Sequence, residues 1–80
     1  MTVTAKRIFN RVYQSYLTGG DTYTYFYKTT SENEISQINS AIDELKENGL
    51  VDIIHQNDKK ARMCITPEGI TFGNNNIEYM

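Results

Sequence analysis

Two phrases, Leu45-Lys46-Glu47-Asn48-Gly49-Leu50-Val51 and Ile65-Thr66-Pro67-Glu68-Gly69, decide how this chain is read. In the first, Asn48-Gly49 supplies the residue types that best tolerate the left-handed conformation closing a helix, and Leu50 packs back after the turn. Upstream, Ile35, Ile38, Ala41, Ile42 and Leu45 recur at three- and four-residue intervals, so a long helix runs into that phrase. Its start is Thr30-Ser31-Glu32-Asn33-Glu34, where Ser31 and Glu34 have capping-box spacing and Glu32 favours the positive end of the helix dipole. In the second phrase Thr66 caps a short helix, Pro67 takes its first position and Glu68 its first turn. That helix is expected to end near Phe72, with Gly73-Asn74-Asn75-Asn76 breaking regular structure. Between the phrases, strand-like runs over residues 51–56 and 61–65 flank the polar Asn57-Asp58-Lys59-Lys60, giving a β-hairpin with a charged tip.

Toward the amino terminus, Ala5, Ile8, Phe9, Val12, Tyr13, Tyr16 and Leu17 form the buried stripe of a helix over residues 4–17, with Thr4 as the expected N-cap and Gly19-Gly20 as the stop. Lys6, Arg7, Asn10, Arg11 and Gln14 fall mainly on its other side. The run Thr22-Tyr23-Thr24-Tyr25-Phe26-Tyr27 is dense in β-branched and aromatic residues and reads as a short strand at a sheet edge; the alternative is a distorted short helix. Its aromatics read as packing residues before they read as a stacking platform for bases. Residues 77–80 form either a flexible end or a tail that docks on a partner.

Eighty residues, 39% of them hydrophobic, allow one modest core and no second domain. The lone Cys64 excludes an intramolecular disulfide and is expected in the core, which fits a reducing cytoplasm. No stretch has the length and apolarity of a signal peptide or membrane span. A net charge of −2 argues against coating nucleic acid through bulk positive charge.

Helix, strand, helix, β-hairpin and short helix, in that order, make an α+β chain. With the two phrases a hairpin apart, it resembles the winged-helix domains of MarR-like, PadR-like and YjcQ-like proteins. In those, the helix before the wing ends in a phrase similar to residues 45–51, and the second wing strand runs into one similar to residues 65–69. The resemblance covers residues 5–73 and implies a single winged-helix domain over residues 1–80, with its core at 4–73 and a tail at 74–80. The space between Lys28 and Ile35 is too short for a full second helix, so the helix-turn-helix is abbreviated or merged into one long helix.

The resemblance implies a DNA-binding regulator. Ser36, Gln37, Asn39 and Ser40 at the start of the long helix would meet base edges and phosphates of double-stranded DNA, and Lys59, Lys60 and Arg62 of the wing would grip the backbone. Asp43, Glu44 and Glu47 on the same helix oppose phosphates. A second reading is therefore a protein-binding winged helix, an inhibitor or adaptor of the kind carried by phages and mobile elements. Its expected interface is Tyr23, Tyr25, Tyr27, Ile77 and Tyr79, and a homodimer is possible. His55 stands alone, Cys64 has no neighbouring partner, and no phosphate loop or metal-spaced cluster is present, so neither catalysis nor a cofactor or metal is expected.

Overall fold

The computed structural model describes residues 1–76. Three helices and a three-stranded antiparallel sheet follow in the order α1 (Val3–Leu17), β1 (Tyr23–Phe26), α2 (Glu32–Glu47), β2 (Val51–Gln56), β3 (Lys60–Ile65) and α3 (Pro67–Asn75). The fold is α+β. The strand order is β1-β3-β2, so the hairpin β2–β3 is flanked by β1, which pairs with β3 from Tyr23↔Met63 to Phe26↔Lys60.

The core follows from two periodicities. Ala5, Ile8, Phe9, Val12 and Tyr13 make the buried stripe of α1, and Ile38, Ala41, Ile42 and Leu45 that of α2. On β3, Ala61 and Met63 alternate inward against them, with Val51 of β2. The same alternation corrects one expectation. Cys64 follows Met63 and falls on the opposite face, where it is half-buried rather than part of the core. Tyr16 and Leu17 are also exposed, because the last turn of α1 overruns the core.

Helix α1 begins earlier than Thr4. Thr2 is the N-cap, its hydroxyl accepting from the amide of Ala5 at 3.2 Å, while its own amide donates to Glu44 Oε2 at 3.2 Å and so ties α1 to α2. At the other end Gly19 takes a φ of +94°, and the amide of Gly20 reaches the carbonyl of Ser15 at 2.9 Å. Helix α2 is one continuous 16-residue element capped by Ser31, which accepts from the amide of Glu34, and no other helix lies between it and β1. Gly49, at φ +73°, lets the amide of Leu50 reach back to the carbonyl of Leu45 at 3.0 Å. The hairpin tip is held by Asn57, whose Oδ1 accepts from the amides of Lys59 and Lys60 at 2.8 and 2.9 Å.

Thr66 joins three elements. Its amide donates to the carbonyl of Leu50, its hydroxyl donates to the carbonyl of Gly49, and the same oxygen accepts from the amide of Gly69 to cap α3. Gly69 is needed for proximity: a Cβ there would lie 2.2 Å from the carbonyl oxygen of Leu50. Gly73 likewise does not break the chain as expected. It sits inside α3, where a Cβ would lie 2.3 Å from the Tyr13 ring, and the helix continues to Asn75 while Phe72 meets Phe9 edge-on at 5.3 Å.

Candidate functional site

The residues expected to read DNA occupy three separate places. Ser36, Gln37 and Ser40 lie on one flank of α2, where with Thr2, Thr4, Ala41 and Glu44 they line a shallow cavity of about 310 Å³ beside the start of α1. Asn39 lies on another flank and is engaged internally. Its Oδ1 accepts from the Tyr27 hydroxyl at 2.6 Å and from Gln56 Nε2 at 3.0 Å, and Gln56 also donates to the Tyr27 oxygen at 3.1 Å. This triangle ties α2 to the end of β1 and to the last residue of β2. Burial, with Asp43 and Asp58 nearby, raises the Tyr27 phenol above its ordinary pKa of 10.0 against the opposing pull of Gln56, so it stays a donor.

The hairpin cations point elsewhere. Lys60 and Arg62 alternate with the buried Ala61 and Met63, so they project from the outer face of the sheet, away from the core and from α2. Arg62 donates to Thr22 Oγ1 at 3.4 Å, and Lys59 is exposed at the tip. Phe26, 56% exposed, shares that outer face. The solvent-facing surface of α2 is acidic: Glu32, Glu34, Asp43 and Glu47 are exposed against Lys46 alone, while Glu44 is half-buried beside the start of α1, where it meets the Thr2 amide and the terminal ammonium.

Of the residues expected at a protein interface, Tyr23 and Tyr25 are accessible and Tyr27 is not. Tyr27 is buried, with its hydroxyl inside the triangle just described. Ile77 and Tyr79 lie outside the described residues. Tyr23 and Tyr25 instead form one wall of a groove of about 700 Å³ whose other wall is Arg7, Asn10, Arg11 and Gln14 of α1. A smaller hollow of about 190 Å³ continues it along residues 23–28, with Arg11. Among the described residues, no carboxylate lines either hollow. The groove had a signal in the sequence, since Arg7, Asn10, Arg11 and Gln14 are spaced i, i+3, i+4, i+7, a polar stripe beside the apolar one. Nothing local in the sequence announces the Tyr27–Asn39–Gln56 triangle, which is built from three distant segments.

Among the described residues, no group of three His, Cys, Asp or Glu side chains is placed to hold a metal ion, and no helix is long and apolar enough to cross a membrane. No protein-family model, no curated protein and no solved structure shows a significant match to this chain.

Proposed function

We propose that this chain is a small, non-catalytic winged-helix domain of the cytoplasm whose partners are proteins, an inhibitor or adaptor rather than a reader of duplex DNA. The winged-helix reading is supported by the order helix, strand, helix, hairpin, helix and by the strand order β1-β3-β2, with the hairpin following α2 directly. The observation that carries the protein-recognition reading is the outward surface of α2. A helix entering the major groove lies between two phosphate strands, and this one carries four exposed carboxylates, Glu32, Glu34, Asp43 and Glu47, against a single lysine. Asn39, one of the two side chains suited to adenine, already has its carbonyl oxygen occupied by Tyr27 and Gln56, which leaves the exposed Gln37 for that role.

DNA binding is the second reading, favoured by the exposed Lys59 and Lys60 at the hairpin tip and by the family resemblance. One titration separates the two. Fluorescence anisotropy of a labelled random-sequence duplex, at about 50 mM and about 200 mM salt, should show no binding tighter than about 100 μM at either. Binding at low salt that weakens steeply with added salt, with a smaller slope for Lys59→Ala with Lys60→Ala, would establish the DNA reading instead.

A further inference from the structure

Strand β1 is an edge. β3 occupies one side of it, and among the described residues the strand order places nothing on the other. Its pairing register fixes which main-chain groups are unengaged. The amide of Tyr27 donates to the carbonyl of Lys59 at 2.9 Å, and antiparallel partners exchange hydrogen bonds at every second residue. Tyr23, Tyr25 and Tyr27 therefore turn their backbone groups toward β3, and Thr24 and Phe26 turn theirs outward. The hollow lined by the consecutive residues 23–28 runs along that outward side, so the edge is open to solvent.

The surroundings of the edge are cationic. Arg7 and Arg11 of α1 are exposed along the groove on one side of β1, Lys28 stands at its end, and on the outer face the Arg62 guanidinium reaches across to Thr22. Among the described residues, Arg7, Arg11 and Lys28 have no carboxylate partner. Asp43 and Asp58 act on Tyr27 from the α2 and hairpin side, and Asp21 is exposed two residues before the start of the strand. In a chain of net charge −2, Arg7, Arg11 and Lys28 make the border of this edge basic, in contrast to the acidic α2.

From this we infer that the outer edge of β1 is a docking site for an extended acidic segment of a partner protein, which adds to the sheet as a fourth strand. The inference rests on the protein-recognition reading and names the partner's chemistry. Thr24 and Phe26 supply the main-chain hydrogen bonds, Arg7 and Arg11 meet the carboxylates on the α1 side, and Tyr23 and Tyr25 form the floor beneath the side chains between them. A second copy of this chain fits worse. Pairing β1 with β1 about a two-fold axis would set Arg7 and Arg11 of each copy against their own equivalents, the like-charge arrangement by which natural edges avoid self-association. Single-stranded nucleic acid would suit the arginines and tyrosines, but it makes no use of the outward amide and carbonyl groups.

The test is an NMR titration of the full chain, labelled with ¹⁵N, with a short peptide alternating glutamate and valine, at low salt. The expected result is saturable shifts at the amides of Thr24, Phe26 and Lys28. Affinity should fall about tenfold or more in Arg7→Ala with Arg11→Ala, and by a similar factor when alternate peptide amides are methylated. Thr24→Pro, which removes an outward-facing donor while sparing the β3 pairing, should weaken binding as well. The lysine–valine counterpart should give no shifts. Shifts scattered over the surface, or indifferent to methylation, overturn strand addition. No shift at β1 overturns the site and leaves the protein-recognition reading standing, because that rests on α2. If oligothymidylate binds through the same arginines more tightly than the peptide, both the inference and that reading fall.

Discussion

The junction under α3 and the groove beside β1 are built on opposite terms. At the junction, Gly49, Leu50, Thr66 and Gly69 satisfy one another's backbone groups, and at Gly69 a single added methyl has no room. Beside β1, backbone groups face solvent and the bordering arginines have no carboxylate partners among the described residues. The difference teaches where stability and recognition reside. A surface that has met all its own hydrogen-bonding needs has nothing to offer a partner, and one that offers something contributes little to stability.

The sharpest way to break this division is Gly69→Ala. The new methyl would lie far inside contact distance of the Leu50 carbonyl, so we expect a loss of about 3 kcal/mol and a melting temperature lowered by about 12 °C or more, read by thermal unfolding. An unchanged melting temperature would mean that the junction is loose. Thr66→Val comes next, because it removes the cap on Gly69 and the bond to Gly49 together while keeping the shape. About 2 kcal/mol should be lost in urea unfolding.

Tyr27→Phe probes the triangle between the two regions and should cost about 1 kcal/mol, since Gln56 still serves Asn39. It also carries a pH signature. Burial raises the native phenol above 10.0, so the unfolded chain ionises first. Stability from this group is therefore complete below the unfolded value and is lost as pH rises from about 10 through the native one. Denaturant midpoints followed up that range should fall more steeply for the wild type than for Tyr27→Phe. The smallest effect is expected at the groove: Arg7→Ala with Arg11→Ala should change stability by less than about 0.5 kcal/mol while impairing binding, and a large loss of stability there would erase the contrast.

The sequence revealed the two regions unequally. The junction lies within two short phrases whose caps, turn glycine and proline act on near neighbours, so its elements were legible residue by residue. The errors arose where a distant partner decided the outcome. Gly73 reads as a helix breaker until Tyr13 of α1 is found against it, and Thr4 reads as a cap until Glu44 is found holding Thr2. The residues expected to read DNA lie in separate places for the same reason. Asn39 is claimed by Tyr27 and Gln56, and the parity of β3 turns Lys60 and Arg62 to the far face of the sheet. Tyr23 and Tyr25 were legible as aromatics of a short edge strand, whereas the arginines of α1 become the facing wall of the same groove only once the helix is laid across the sheet.

The open edge is the claim on which the account turns, and amide hydrogen exchange in the free protein tests it most directly. Thr24 and Phe26 should exchange about a hundredfold faster than Tyr25 and Tyr27, whose amides are bonded to β3. Equal and strong protection of all four would mean that the edge is already covered, and the proposed docking strand would have nowhere to bind.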